Sequence, residues 1–83
     1  MAGEDSKRAY GYVVTFWAQV PPHGRVWISK DVDWPINSEE EGMSNGPEVL
    51  ARMAKEFGGD LRWVDLETRV GEGEWELVHQ FRP

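Results

Sequence analysis

The chain has 83 residues, no cysteine, five tryptophans and a formal net charge of −6 from fifteen acidic and nine basic side chains. That length makes one domain, and the absence of thiols excludes disulfides, thiolate zinc sites and a cysteine nucleophile. The acidic balance disfavours nucleic acid as a partner, because a general phosphate-backbone binder draws its affinity from Lys and Arg displacing counterions.

Residues 1–8 are small and polar and are expected to form a flexible N-terminal arm to a single α+β domain spanning 9–83. From Tyr10 the pattern alternates: Tyr10, Tyr12, Val14, Phe16, Ala18 and Val20 are interleaved with Gly11, Val13, Thr15, Trp17 and Gln19. Period-two alternation rich in aromatic and β-branched residues predicts a strand. The sequence Pro21-Pro22-His23-Gly24 ends it, and a second strand follows with Val26, Ile28 and Val32 on one face and Arg25, Trp27, Ser29 and Asp31 on the other. The two read as a hairpin. Even-numbered residues must oppose even-numbered ones to keep both apolar sets together, which brings Trp17 opposite or diagonal to Trp27 on the other face.

Residues 33–45 read as a long irregular connection containing Trp34, Ile36 and the acidic triplet Glu39, Glu40 and Glu41. A short helix is then expected, with Asn45 and Glu48 as a capping box, Pro47 in the first turn, and Val49, Leu50, Met53 and Phe57 as its apolar stripe. Gly58-Gly59 ends it. A third strand covers residues 61–70, with Val64, Leu66 and Val70 inward and Trp63, Asp65, Glu67 and Arg69 outward. Gly71-Glu72-Gly73 turns the chain into a fourth strand over residues 74–81. Its inward set is read as Trp75, Leu77, His79 and Phe81, and matching it to the third strand requires an even-numbered turn or a bulge. The expected fold is therefore ββαββ: an antiparallel four-stranded sheet of two hairpins with one short helix on one face.

No catalytic constellation emerges, and a non-enzymatic protein is expected. Only His23 and His79 could serve as imidazole bases, the first in a turn and the second on an apolar strand face. No metal or cofactor is implied. Two distant histidines do not make a zinc site. An EF-hand reading from Asp31 fails because Ile36 stands where the turn glycine belongs and Gly42 where the bidentate glutamate belongs. Gly46-Pro47 precedes a helix but lacks the lysine of a phosphate loop. The longest dense apolar stretch, residues 12–20, is far too short to span a bilayer, and residues 1–8 lack the apolar segment of a signal peptide. A cytoplasmic protein with no membrane role is expected.

One helix can cover only one face of a four-stranded sheet. Trp17, Trp27 and Trp63, with Val13 and Val78, are expected on the uncovered face, and clustered exposed tryptophan marks contact surfaces. The alternative is that the 33–45 loop, with Trp34 and Ile36, folds across that face and buries it. Two functions follow from an open face. One is a small acidic binding or regulatory module, of inhibitor or adaptor type, contacting a protein through Trp17, Trp27, Trp34 and Trp63. In that reading Glu39, Glu40 and Glu41 steer a basic partner, and homodimerisation is a further use of the face. The other is a single-stranded nucleic-acid binder that stacks bases on the tryptophans, with Arg25, Arg62, Arg69 and Arg82 on phosphates.

Overall fold

In the computed structural model, which describes residues 8–83, the chain runs through β1 (Arg8–Val20), β2 (Gly24–Val32), α1 (Glu39–Phe57), a 3-10 turn (Gly58–Asp60), β3 (Leu61–Val70) and β4 (Glu76–Phe81). The strands form one antiparallel sheet in the order β2-β1-β3-β4. This is the expected ββαββ arrangement, with the first strand of each hairpin at the centre. Arg8, expected in the terminal arm, opens β1; the rest of that arm, residues 1–7, lies outside the described residues.

The first hairpin takes the even-to-even register: Val20 opposes Gly24, Trp17 opposes Trp27 and Phe16 opposes Ile28. Even-numbered residues of β1 therefore share the helix side of the sheet. Tyr12 and Val14 are fully buried there with Val49, Val64 and Leu66, and Ile36, Met53, Leu61 and Phe81 complete the core. Ile28, expected in this core, is only half-buried and lies outside the core cluster, because α1 packs over β1, β3 and β4.

The helix begins earlier than its caps suggest. Ser38, not Asn45, is the N-cap: its Oγ accepts the Glu41 backbone N–H at 3.0 Å, while the Glu41 carboxylate accepts the Asn37 N–H at 2.8 Å. The Glu39–Glu41 triplet is thus the first turn, where three carboxylates oppose the positive end of the helix dipole. Gly42 and Gly46, which read as loop residues, are buried helical residues facing the sheet. A Cβ on Gly42 would stand 2.7 Å from Leu66 Cδ1, and one on Gly46 would collide with the Phe81 ring. Their spacing of four residues puts both on one helix face and lets the backbone approach closely. At that point the Tyr12 hydroxyl donates to the Gly42 carbonyl at 2.6 Å. Gly58, at φ 58°, closes the helix as expected.

Three further placements differ from expectation. Thr68 rather than Val70 is buried at the end of β3, its hydroxyl donating to the Ala9 carbonyl at 2.8 Å, while Val70 is 42 % exposed. In β4 the pairing shifts between Leu66–His79 and Glu67–Leu77, leaving Val78 as a bulge residue. That bulge packs Val78 against the core and turns Leu77 outward beside Glu67, so only Phe81 of the expected inward set is buried. The 33–38 segment lays Trp34 and Ile36 against the helix-side core, so it does not cover the opposite face of the sheet.

Candidate functional site

The face away from α1 carries the odd-numbered residues of β1. Thr15 opposes Ser29 on one side and Trp63 on the other, and Trp17 opposes Trp27. Trp17 and Trp27 lie with ring centroids 5.2 Å apart, and Trp27 meets Trp63 edge-on at 5.4 Å. Thr15, on an otherwise open face, is only 5 % exposed, and its hydroxyl shares a 2.7 Å hydrogen bond with Ser29. The indoles thus roof a small second layer of packing, in which Trp17 and Trp63 are half-buried and Trp27 remains 51 % exposed.

A bulge supplies the centre of this cluster. Between the Thr15–Trp63 and Phe16–Leu61 pairs, Arg62 is an extra residue on β3. Its guanidinium carbon lies 5.4, 5.0 and 5.6 Å from the ring centroids of Trp17, Trp27 and Trp63. Its Nε is buried with no hydrogen-bond partner among the described residues. Arg25 covers Trp17 at 5.0 Å and Arg82 covers Trp63 at 4.9 Å. Cation–π contact of this kind contributes about 0.5–1 kcal/mol at exposed sites and more where water is excluded. Arg25 also pairs with Asp60 at 2.9 Å; both side chains are more than half exposed, and such pairs contribute at most about 1 kcal/mol.

Further along the same face the charge reverses. Asp31, Val13 and Asp65 form one cross-strand row, and Gly11 and Glu67 the next. Asp65 accepts a 3.1 Å hydrogen bond from Gln80 Nε2. The Glu67 carboxyl is held above its ordinary range, first by burial and then by repulsion from Asp65 and Asp31. Trp75, expected inward, instead folds back onto this face, its ring edge near Gly11 and the Arg69 guanidinium 4.8 Å from its centroid. Gly11, Val13, Asp31, Glu67 and Trp75 line a shallow concavity of about 240 Å³. The face therefore has three indoles and three guanidiniums at one end, and three carboxylates around a hollow beyond, where Trp75 and Arg69 also lie.

Of the residues singled out from sequence, Trp17, Trp27 and Trp63 come together. Trp34 does not join them; it packs on the helix side beneath Arg52, 4.9 Å from its ring centroid. Glu39, Glu40 and Glu41 are not a free loop but the first turn of α1, which lies on the other side of the sheet. Val78 leaves the open face for the core, and Trp75 and Leu77 replace it. Arg25, Arg62, Arg69 and Arg82, read from sequence only as phosphate contacts, prove to be the partners of the indoles. His23 is exposed in the hairpin turn, and His79 is exposed with its ring edge-on to Phe81 at 4.6 Å. Among the described residues, no three His, Asp or Glu side chains converge to hold a metal ion, and no helix is long and apolar enough to cross a membrane. No family model matches the chain, and no curated protein or solved structure matches it either.

Proposed function

We propose that this chain is a non-enzymatic protein-binding module, of inhibitor or adaptor type, whose contact surface is the open face around Trp27. One observation carries the reading: Trp17, Trp27 and Trp63 cluster around Arg62 on a sheet face that neither the helix nor the 33–38 segment covers. Tryptophan and arginine dominate binding hot spots because each offers a large, stiff surface with a polar edge. Here the rings and guanidiniums hold one another in place, so little side-chain freedom remains to be lost on binding. A cysteine-free chain suits the reducing cytoplasm.

Stacking of nucleic-acid bases is the weaker reading. The guanidiniums of Arg25, Arg62 and Arg82 already lie over the indoles, and Asp31, Asp65 and Glu67 share the face with them. A uniformly basic protein partner would match only the carboxylate end. A partner that matches the whole face carries both signs of charge, and a second copy of this chain meets that condition.

The test compares proteins captured by the immobilised full chain with those captured by its Trp27→Ala and Arg62→Ala variants. A protein, the chain itself included, should be retained by the wild type and released by both variants. Equal capture by all three overturns the reading. So does saturable binding of a single-stranded oligonucleotide at low salt that Trp27→Ala abolishes.

A further inference from the structure

We infer that the open face docks on a second copy of itself, about a twofold axis crossing the strands near the Thr15–Ser29 pair. In this arrangement Arg25 and Arg62 of each copy meet Asp31 and the Asp65–Glu67 pair of the other. The inference rests on the reading of this face as a protein-contact surface and names its partner.

The charge order along each strand supplies the first argument. Arg25 and Asp31 lie on β2, and Arg62 and Glu67 on β3, so on each strand a cation is followed by an anion along the face, with Arg69 stacked on Trp75 beyond Glu67. A twofold axis lying between two stacked faces, perpendicular to the strands, lays β2 over β2 and β3 over β3 with their directions reversed. The Arg25 and Arg62 guanidiniums then turn toward the carboxylate end of the other copy, while Arg82 stays near the axis and Arg69 lies outside the match. An isologous contact demands this self-complementarity, with residue i meeting j and j meeting i. The midpoint of Arg25 and Asp31 is Ile28 and that of Arg62 and Glu67 lies between Val64 and Asp65, so the row formed by Ser29, Thr15 and Trp63 runs between the two.

Relief gives the second argument. The aromatic end presents the half-exposed Trp27, whereas at the acidic end the face dips over Gly11, which has no side chain, and the short Val13 into a hollow walled by Trp75. The same rotation that matches the charges brings Trp27 down over the hollow of about 240 Å³. The four staggered strands, at about 4.8 Å spacing and about 3.3 Å per residue, offer roughly 600 Å² in all, below the ~800 Å² per partner of a standard interface.

Neither charged group is satisfied within one copy. Arg62 keeps a buried Nε without a hydrogen-bond partner and, among the described residues, forms no ion pair within 4 Å. Glu67 is crowded by like charges. A partner's guanidinium beside Glu67 relieves that crowding, and the three rings around Arg62 hold the guanidinium in position for it.

Charge reversal tests the inference. Light scattering coupled to size exclusion is run on the full-length wild type, on Arg62→Glu, on Glu67→Lys and on their equimolar mixture, with far-UV circular dichroism confirming the fold of each. The wild type should have the mass of two chains. Each reversal alone repeats its like-charge clash twice across the axis and should weaken association at least ~100-fold. The mixture should recover the two-chain mass, because the carboxylate introduced at position 62 of one variant then meets the ammonium introduced at position 67 of the other. A wild type with the mass of one chain up to ~1 mM overturns the inference, since association weaker than that is negligible. Reversals that stay dimeric, or a mixture that stays monomeric, also overturn it. If either reversal fails to fold, Arg25→Glu with Asp31→Lys on edge strand β2 repeats the test. A monomeric wild type that still captures a foreign protein through Trp27 overturns the dimer alone, and one that captures nothing overturns the contact-surface reading with it.

Discussion

Tyr12 joins the two layers of the molecule through one hydrogen bond. Its ring is buried in the core and its hydroxyl reaches the Gly42 carbonyl at 2.6 Å. Tyr12→Phe keeps the ring and removes the bond, and should lower unfolding free energy by about 1–2 kcal/mol in urea denaturation, since a buried carbonyl loses a donor. The phenol is pushed above its ordinary range, first by burial and then by Glu41. The folded chain therefore holds that proton more tightly than the unfolded chain does. Stability should fall as pH rises from the ordinary phenol value through the folded one, and Tyr12→Phe should flatten that alkaline slope.

Glu67 gives the same sign at acidic pH. Its folded value is raised, so between the ordinary carboxylate value and the folded value the folded chain carries more protons, and stability declines as pH rises through that window. In a dilute, dissociated sample Glu67→Gln should therefore unfold at higher urea than the wild type at neutral pH, and lose part of the pH dependence just above the ordinary carboxylate range. A variant less stable than wild type at neutral pH would show that Glu67 is held by a favourable charge within one copy.

At the scale of elements, α1 shows where local signals mislead. Glycine is a poor helix former, and Gly42 and Gly46 around Asn45 read as connection followed by cap. The helix passes through both because each lacks the Cβ that would strike Leu66 or Phe81. A tertiary contact that local propensity cannot register decides this segment. The usual gain of about 1 kcal/mol from Gly→Ala in a helix should consequently reverse at Gly46, where the Phe81 ring must move: Gly46→Ala should destabilise by about 1–3 kcal/mol in the same denaturation assay. Gly42→Ala, which presses on the flexible end of Leu66, should lose less.

The strands are more legible. Alternation in β1 settles which residues share a face, and a one-residue slip would send Tyr12 and Val14 to solvent, so Trp17 opposite or diagonal to Trp27 follows from pattern, while the Val20–Gly24 pair at the turn sets the direct pairing. Bulges are not legible in the same way. An extra residue such as Arg62 or Val78 leaves no mark in its own strand, because the partner strand's pairing defines it. Trp75, Leu77 and Val78 depart from their expected faces in part for that reason, and the place of Arg62 at the centre of the tryptophan cluster is hidden in the sequence for the same one.

For the whole molecule, the ββαββ order leaves one sheet face without a helix, and the chain furnishes that face with four of its five tryptophans. The indoles partly serve the fold, since they roof Thr15 and hold four guanidiniums. That role leaves Trp27 half exposed at the end of the face where the positive charge collects. Separation of charge on a single face makes it complementary to its own reversed copy, although each chain carries a net −6 that opposes association at long range. Local pairing must overcome that repulsion, and it acts where the rings exclude water.

Sedimentation equilibrium of wild type and Trp27→Ala, side by side across a concentration series, addresses this most directly. The account predicts a two-chain mass for the wild type and a one-chain mass for the variant, with helix and strand content unchanged. Equal masses for the two proteins would contradict it.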